Sequence, residues 1–167
     1  FGTRCFNFPQ CQDLEKGQIR AVTSRNPRRI RIRVLNYPGA VYHVMLRGNG
    51  GHEIFFDEQD RFYFGELLSE GLERFDHRIH GFCLMNNHVH LVIQVGGIEL
   101  SRIIQNVSFR YTRWINKRQK RTGHLFQGRY KAILVDADQY LLELVRYLHL
   151  NPVRAGIVKH PDHYFWS

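Results

Sequence analysis

Two histidines stand two residues apart in the run Leu84-Met85-Asn86-Asn87-His88-Val89-His90-Leu91-Val92-Ile93. In a strand, residues i and i+2 project to the same face. His88 and His90 would then lie side by side, with Val89, Leu91 and Ile93 turned the other way, toward a core. A strand that presents two imidazoles together offers two nitrogen ligands to a divalent metal. The alternative is a half-buried pair satisfied by hydrogen bonds, and His-x-His alone does not choose between the two.

A third ligand could come from Tyr147-Leu148-His149-Leu150-Asn151-Pro152-Val153. On a helix end, Tyr147 and Asn151 are i and i+4 and share one face. Asn151 carries a neutral amide oxygen, a hard ligand. Two imidazoles and one oxygen, with positions left open, suit Mg²⁺ or Mn²⁺ taking up a phosphate oxygen. Tyr147 would stand one turn away. A phenol is a weak acid, with a pKa of about 10, and needs a cation or base nearby to act as a nucleophile. A metal that polarises the phosphate supplies part of that need. The plainer reading makes Tyr147 an interface residue and Asn151 a C-cap before Pro152. Tyr111 is a rival nucleophile, but Ile115 stands at its i+4 position, so it is expected to pack or stack.

The elements that must position these residues follow from hydrophobic period and turn chemistry. After the turn Tyr37-Pro38-Gly39-Ala40, a first strand covers Val41–Arg47, and Gly48-Asn49-Gly50-Gly51 is a loop. Asp57 should cap a helix running to about residue 75, with Phe62, Leu67, Leu68 and Leu72 as its apolar stripe. A second strand spans 77–85, with Ile79, Gly81, Cys83 and Met85 on one face. Asn86-Asn87 makes a hairpin turn into a third strand over 88–95. A helix over about 99–117 places Ile103, Ile104, Val107, Tyr111, Trp114 and Ile115 on one side. After a loop at 123–128, a fourth strand covers 129–135. Asp138 should cap a last helix that runs to about residue 150 and is stopped by Pro152. The first six elements form a split βαβ, ferredoxin-like pattern, an α+β fold on an antiparallel sheet. The seventh element is extra and could cover the second face. Residues 37–167 are expected to form one domain, preceded at 1–36 by a basic arm, or equally by an extension of little structural value, that carries Arg20, Arg25, Arg28, Arg29, Arg31 and Arg33.

With 24 Lys and Arg against 15 Asp and Glu, the formal charge is +9. Such an excess points to a polyanionic partner, nucleic acid first and an anionic membrane surface second. No acid occurs between Glu99 and Asp136, a stretch holding Arg102, Arg110, Arg113, Lys117, Arg118, Lys120, Arg121, Arg129 and Lys131 among Trp114, Phe126 and Tyr130. Cations track phosphates, and aromatic rings stack unpaired bases. Arg47, Asn49, His124, Gln127 and Arg154 could contact base edges or phosphates. The three cysteines, Cys5, Cys11 and Cys83, are odd in number and lack CxxC spacing, which argues against a disulfide framework or a zinc knuckle. Cys83 reads as a small core residue. No apolar run is long enough to span a bilayer and no secretory pattern is present, so a cytoplasmic location is expected.

Together these blocks resemble a known family. His88-Val89-His90 followed by Tyr147-x-x-x-Asn151-Pro152-Val153 is similar to the HUH single-tyrosine transposases, and most of all to the REP-associated tyrosine transposase branch of the IS200/IS605-like superfamily. Tyr37 to Val44, Arg47-Gly48-Asn49, Gly123 to Tyr130 and Asn151 to Gly156 share in the resemblance. It implies an RRM-like palm and a single-stranded or hairpin DNA substrate. It also implies Mg²⁺ or Mn²⁺ on His88, His90 and Asn151, and attack by Tyr147 on a DNA phosphate to give a 5′-phosphotyrosine and a 3′-hydroxyl. Related insertion-sequence enzymes commonly carry Gln where Asn151 stands, and Asn fits the REP-associated branch. A monomer and a homodimer are both compatible. Two rivals share the sheet and the charge: a non-catalytic RRM-like nucleic-acid binder, and a metal-dependent nuclease that uses water.

Overall fold

The computed structural model describes residues 37–135 and 139–167. Residues 1–36 and the Asp138 cap lie outside the described residues. In chain order the elements are β1 (Val41–Arg47), α1 (Glu58–Arg74), β2 (His77–Met85), β3 (His88–Val95), α2 (Leu100–Arg118), β4 (Lys131–Val135) and α3 (Gln139–Arg154). The four strands make one antiparallel sheet in the order β2-β3-β1-β4. This is the expected ferredoxin-like α+β arrangement with one added helix.

Register divides the residues between two faces. His43 lies opposite Val92, Met45 opposite His90, and Arg47 opposite His88. Cys83 and Met85 of β2 lie opposite His90 and His88. Directly paired residues share a face. His43, His88 and His90 therefore project from one side of the sheet, with Cys83, Met85 and Val92. The alternate residues Tyr42, Val44, Leu46, Val89, Leu91 and Ile93 point the other way and are fully buried. They form the main core with Phe64, Leu67 and Leu68 of α1 and Ile103, Ile104, Val107, Tyr111 and Ile115 of α2. Each such aliphatic side chain stabilises the fold by roughly 1.5–3 kcal/mol. On the histidine side, Leu144 and Leu148 of α3 close a smaller cluster over Cys83, Met85, Val92 and Val135.

Four expectations need correction. In β2 the register slips between Ile79 and Gly81. His80 is the extra residue of a bulge, so Ile79 faces the main core while Gly81, Cys83 and Met85 face α3. The stripe of α1 is Phe64, Leu67, Leu68 and Gly71 rather than one including Phe62 and Leu72, which stay largely exposed. Phe62 instead meets the edge of Trp166, with ring centroids 4.8 Å apart. The strand β4 begins at Lys131, two residues later than expected. Pro152 does not stop α3, which continues to Arg154. A proline in a last turn forfeits one backbone donor, and the turn is completed by Ala155 N–H to Asn151 O at 2.9 Å and Ile157 N–H to Pro152 O at 2.9 Å. Gly156, at φ 71°, then takes the left-handed position that ends the helix.

Candidate active site

The turn before β3 sets the first imidazole. Asn87 donates its side-chain N–H to Gly51 O at 3.2 Å, which fixes the amide's orientation. Its oxygen therefore faces His88 Nδ1, 2.7 Å away. An amide oxygen only accepts, so His88 carries its proton on Nδ1 and its lone pair on Nε2. The turn is itself held: Gly48 N–H donates to Asn87 O, and the Ile54 and Phe55 amides donate to Asn86 O.

His90 is buried, at 2% exposure, and so is His43, at 4%. His43 Nε2 and His90 Nδ1 are 2.9 Å apart, the rings stacked at 5.2 Å with planes 23° apart. His90 Nε2 is buried with no hydrogen-bond partner. Burial pushes the His43 pKa down to about 4 and, with help from Arg47, that of His88 to about 4 as well. His90 is held well below the ordinary imidazole range, first by burial and then by the neighbouring histidines. The three rings are thus neutral at physiological pH, the state in which imidazole binds a metal. His43 is the site residue that sequence reasoning missed. Alternation with Tyr42 and Val44 sets it on the face of β1 away from the main core, and the pairing of β1 with β3 puts that face with His88 and His90.

Helix α3 brings Tyr147 onto this face. Its ring stands edge-on to His90 at 6.3 Å and to His43 at 6.4 Å between centroids. Arg154, two turns along the helix, lays its guanidinium carbon 5.2 Å from the Tyr147 ring centroid. Asn151 lies one turn beyond Tyr147, and its side-chain N–H donates to Tyr147 O at 3.1 Å. That turns the amide nitrogen toward the helix backbone and leaves the oxygen as the group with coordinating capacity. Among the described residues no three His, Cys, Asp or Glu side chains converge as a metal site. The fit of a divalent ion therefore rests on three donors, the His88 imidazole, the orphaned Nε2 of His90 and the Asn151 amide oxygen, a set that leaves room for a phosphate. Tyr111 stands apart from this cluster. It lies on the opposite face of the sheet, fully buried, and its hydroxyl donates to Ile54 O at 2.7 Å. Burial drives its pKa upward, far from anything ionisable at neutral pH.

The basic candidates divide into two groups. Backbone hydrogen bonds tie three segments together at the His88 end of the sheet: Gln127 N–H to Arg47 O, Asn49 N–H to Leu125 O, and Gly48 to the 86–87 turn. Arg47, Asn49, His124, Gln127 and Arg129 are exposed on this rim, and Lys131 on β4 is exposed opposite Met45. Tyr130 is half-buried beside a groove of about 750 Å³ that also takes in His124, Arg129 and Phe109. The α2 residues fare differently. Arg110 pairs with Glu70 at 2.6 Å. Arg118 pairs with Asp57 and with the buried Asp60. Trp114 stacks on Tyr63 at 4.5 Å and lies under Arg118. The acids missing from 100–135 are thus supplied by α1, and these three residues are engaged in helix packing. Arg113 and Lys117 remain on α2, on the far side of the sheet from the histidines, with Arg113 over the Phe109 ring, and Arg121 follows the end of the helix.

Among the described residues no helix is long and apolar enough to cross a membrane. No curated protein matches the sequence. The structure is similar to that of a REP-associated tyrosine transposase bound to a REP hairpin, at 14% identity and a TM-score of 0.68 over 86% of this chain and 81% of that one. A weaker likeness, at 13% identity and a TM-score of 0.48 over 71% of this chain and 94% of that one, is to a transposase-like protein of Deinococcus radiodurans. The sequence itself matches the family described as IS200-like transposases over residues 36–151, which takes in all four strands, both histidines of β3, Tyr147 and Asn151. Over two-thirds of its length, site included, the chain is a member of the IS200-like transposase family.

Proposed function

We propose that this chain cleaves and rejoins single-stranded DNA beside a hairpin, through a covalent link between Tyr147 and a 5′ phosphate. The observation that carries the reading is the placement of Tyr147 at 6.3 Å from His90 between ring centroids, within one chain. A tyrosine on an added helix has no need to cover a pair of neutral, inward-facing imidazoles unless the two act on the same group. The REP hairpin held by the similar transposase supports a hairpin as the partner here.

His88 Nε2, His90 Nε2 and the Asn151 amide oxygen would hold Mg²⁺ or Mn²⁺. Such an ion, when bound, polarises a phosphate oxygen and offsets charge that develops on the phosphorus. Tyr147 Oη forms the new bond to phosphorus as the bond to the 3′ oxygen breaks, and the phenol proton ends, by way of solvent, on the 3′-hydroxyl. Attack by a 3′-hydroxyl reverses the step and joins strands. Arg154 places positive charge beside the phenol and can meet an incoming phosphate. Arg47, Asn49, His124, Gln127, Arg129 and Lys131 form a rim at the same end of the sheet and would guide the strand toward it. With both imidazoles and the phenol in one chain, a monomer suffices for cleavage. A DNA substrate and a buried, unpaired Cys83 accord with a cytoplasmic setting.

The test is denaturing electrophoresis of the protein incubated with Mn²⁺ and 5′- or 3′-labelled hairpin DNA carrying single-stranded flanks. A covalent adduct retaining only the label downstream of the cut is expected from the wild type and none from Tyr147→Phe. Cleavage without an adduct would identify a water-using nuclease. Salt-sensitive binding with neither product would identify a binding protein.

A further inference from the structure

We infer that His43 is a positioning residue that sets the tautomer and ring plane of His90; the inference rests on the reading of His90 as a metal ligand. A neutral imidazole has one donor and one acceptor nitrogen. At 2.9 Å, His43 Nε2 and His90 Nδ1 must share one proton. If His43 holds it, His90 is left with an N–H on Nε2, buried and without an acceptor. If His90 holds it, Nε2 presents a lone pair instead. Only the second arrangement lets a cation satisfy the orphaned atom.

The neighbouring ring argues for that arrangement independently. Asn87 accepts from His88 Nδ1 and thereby puts the His88 lone pair on Nε2. His43 does for His90 what Asn87 does for His88, and both rings then present the same nitrogen. Metal-bound histidines are commonly oriented in this way through their second nitrogen. His43 is itself no ligand, since its Nε2 is directed at the Nδ1 of His90. Nor does simple packing call for a histidine here, where Val92 pairs with it across the strands and Ile133 lies opposite on β4.

The decisive experiment combines nitrogen-detected NMR of the histidine rings in metal-free protein with Mn²⁺ titration followed by electron paramagnetic resonance. In the wild type, His90 is expected as the Nδ1–H tautomer; finding the proton on Nε2 overturns the inference, whatever the variants do. His43→Leu removes the acceptor and is expected to weaken Mn²⁺ binding about 10–100-fold. His43→Gln, whose amide oxygen can reach the same place, should recover most of that loss. A folded His43→Leu protein with wild-type Mn²⁺ affinity overturns the inference. If the wild type itself binds no Mn²⁺, the metal reading of the site fails, and the tautomer measurement still decides the role of His43. Should His43→Leu not fold, the wild-type spectrum decides alone.

Discussion

The two faces of the sheet are built from alternate residues of the same strands and do different work. On one, Val89, Leu91 and Ile93 meet two helices across a continuous apolar core. On the other, His88 and His90 meet His43 and a single helix, and the buried His90 Nε2 has no hydrogen-bond partner. Each face also buries or half-buries a tyrosine. Tyr111 has its hydroxyl paired to a backbone carbonyl and its acidity suppressed. Tyr147 lies among imidazoles with a guanidinium over its ring. A one-residue change of phase along the strands thus separates the apolar core from the candidate site, because strand side chains alternate with a period of two.

The comparison can be broken most directly at the histidine face. His88→Ala is expected to abolish adduct formation while leaving hairpin affinity, measured by gel shift, near that of the wild type. Equal loss of both would mean that His88 serves folding instead. At the neighbouring position of the other phase, Leu91→Ala should cost about 2–5 kcal/mol in urea denaturation. Its adduct yield per folded molecule should be retained. Tyr111→Phe comes next, with a loss of about 1–3 kcal/mol for the carbonyl of Ile54 left unsatisfied and an adduct still formed. An adduct lost in Tyr111→Phe but kept in Tyr147→Phe would reverse the roles of the two faces.

The smallest effect concerns the link between α1 and α2. The Arg118 guanidinium and the surrounding backbone amides hold the Asp57 carboxyl below the ordinary carboxylate range. A depressed pKa in the folded state stabilises above the unfolded value, near pH 4, and the contribution is lost as pH falls through the folded one. Arg118→Ala should therefore lower the melting temperature at neutral pH and flatten its fall as the pH drops below about 4. If Arg118 contacts DNA instead, the substitution will weaken hairpin binding and leave the melting temperature alone.

Much of this arrangement was legible from local pattern. The bounds of β1, β2 and β3, the capping by Asp57 and the apolar side of α2 all follow from period and turn chemistry, which involve neighbours in the chain. What escaped involved partners distant in sequence. The bulge at His80 inverts Ile79 because of its pairing with β3, which no count along β2 reveals. Phe62 looked like core until Trp166 arrived beside it. Arg118 looked uncompensated until α1 supplied Asp57 and Asp60, about sixty residues earlier.

The sequence by itself determined that His88 and His90 share a face and that Tyr147 and Asn151 share another, since i, i+2 and i, i+4 spacing are properties of a single element. Only the tertiary structure decided that those two faces meet, and that His43, forty-seven residues away, completes the imidazole cluster. Register between β1 and β3 and the docking of α3 are set by burial and hydrogen bonding across the whole sheet. Those are long-range terms, and no local spacing encodes them.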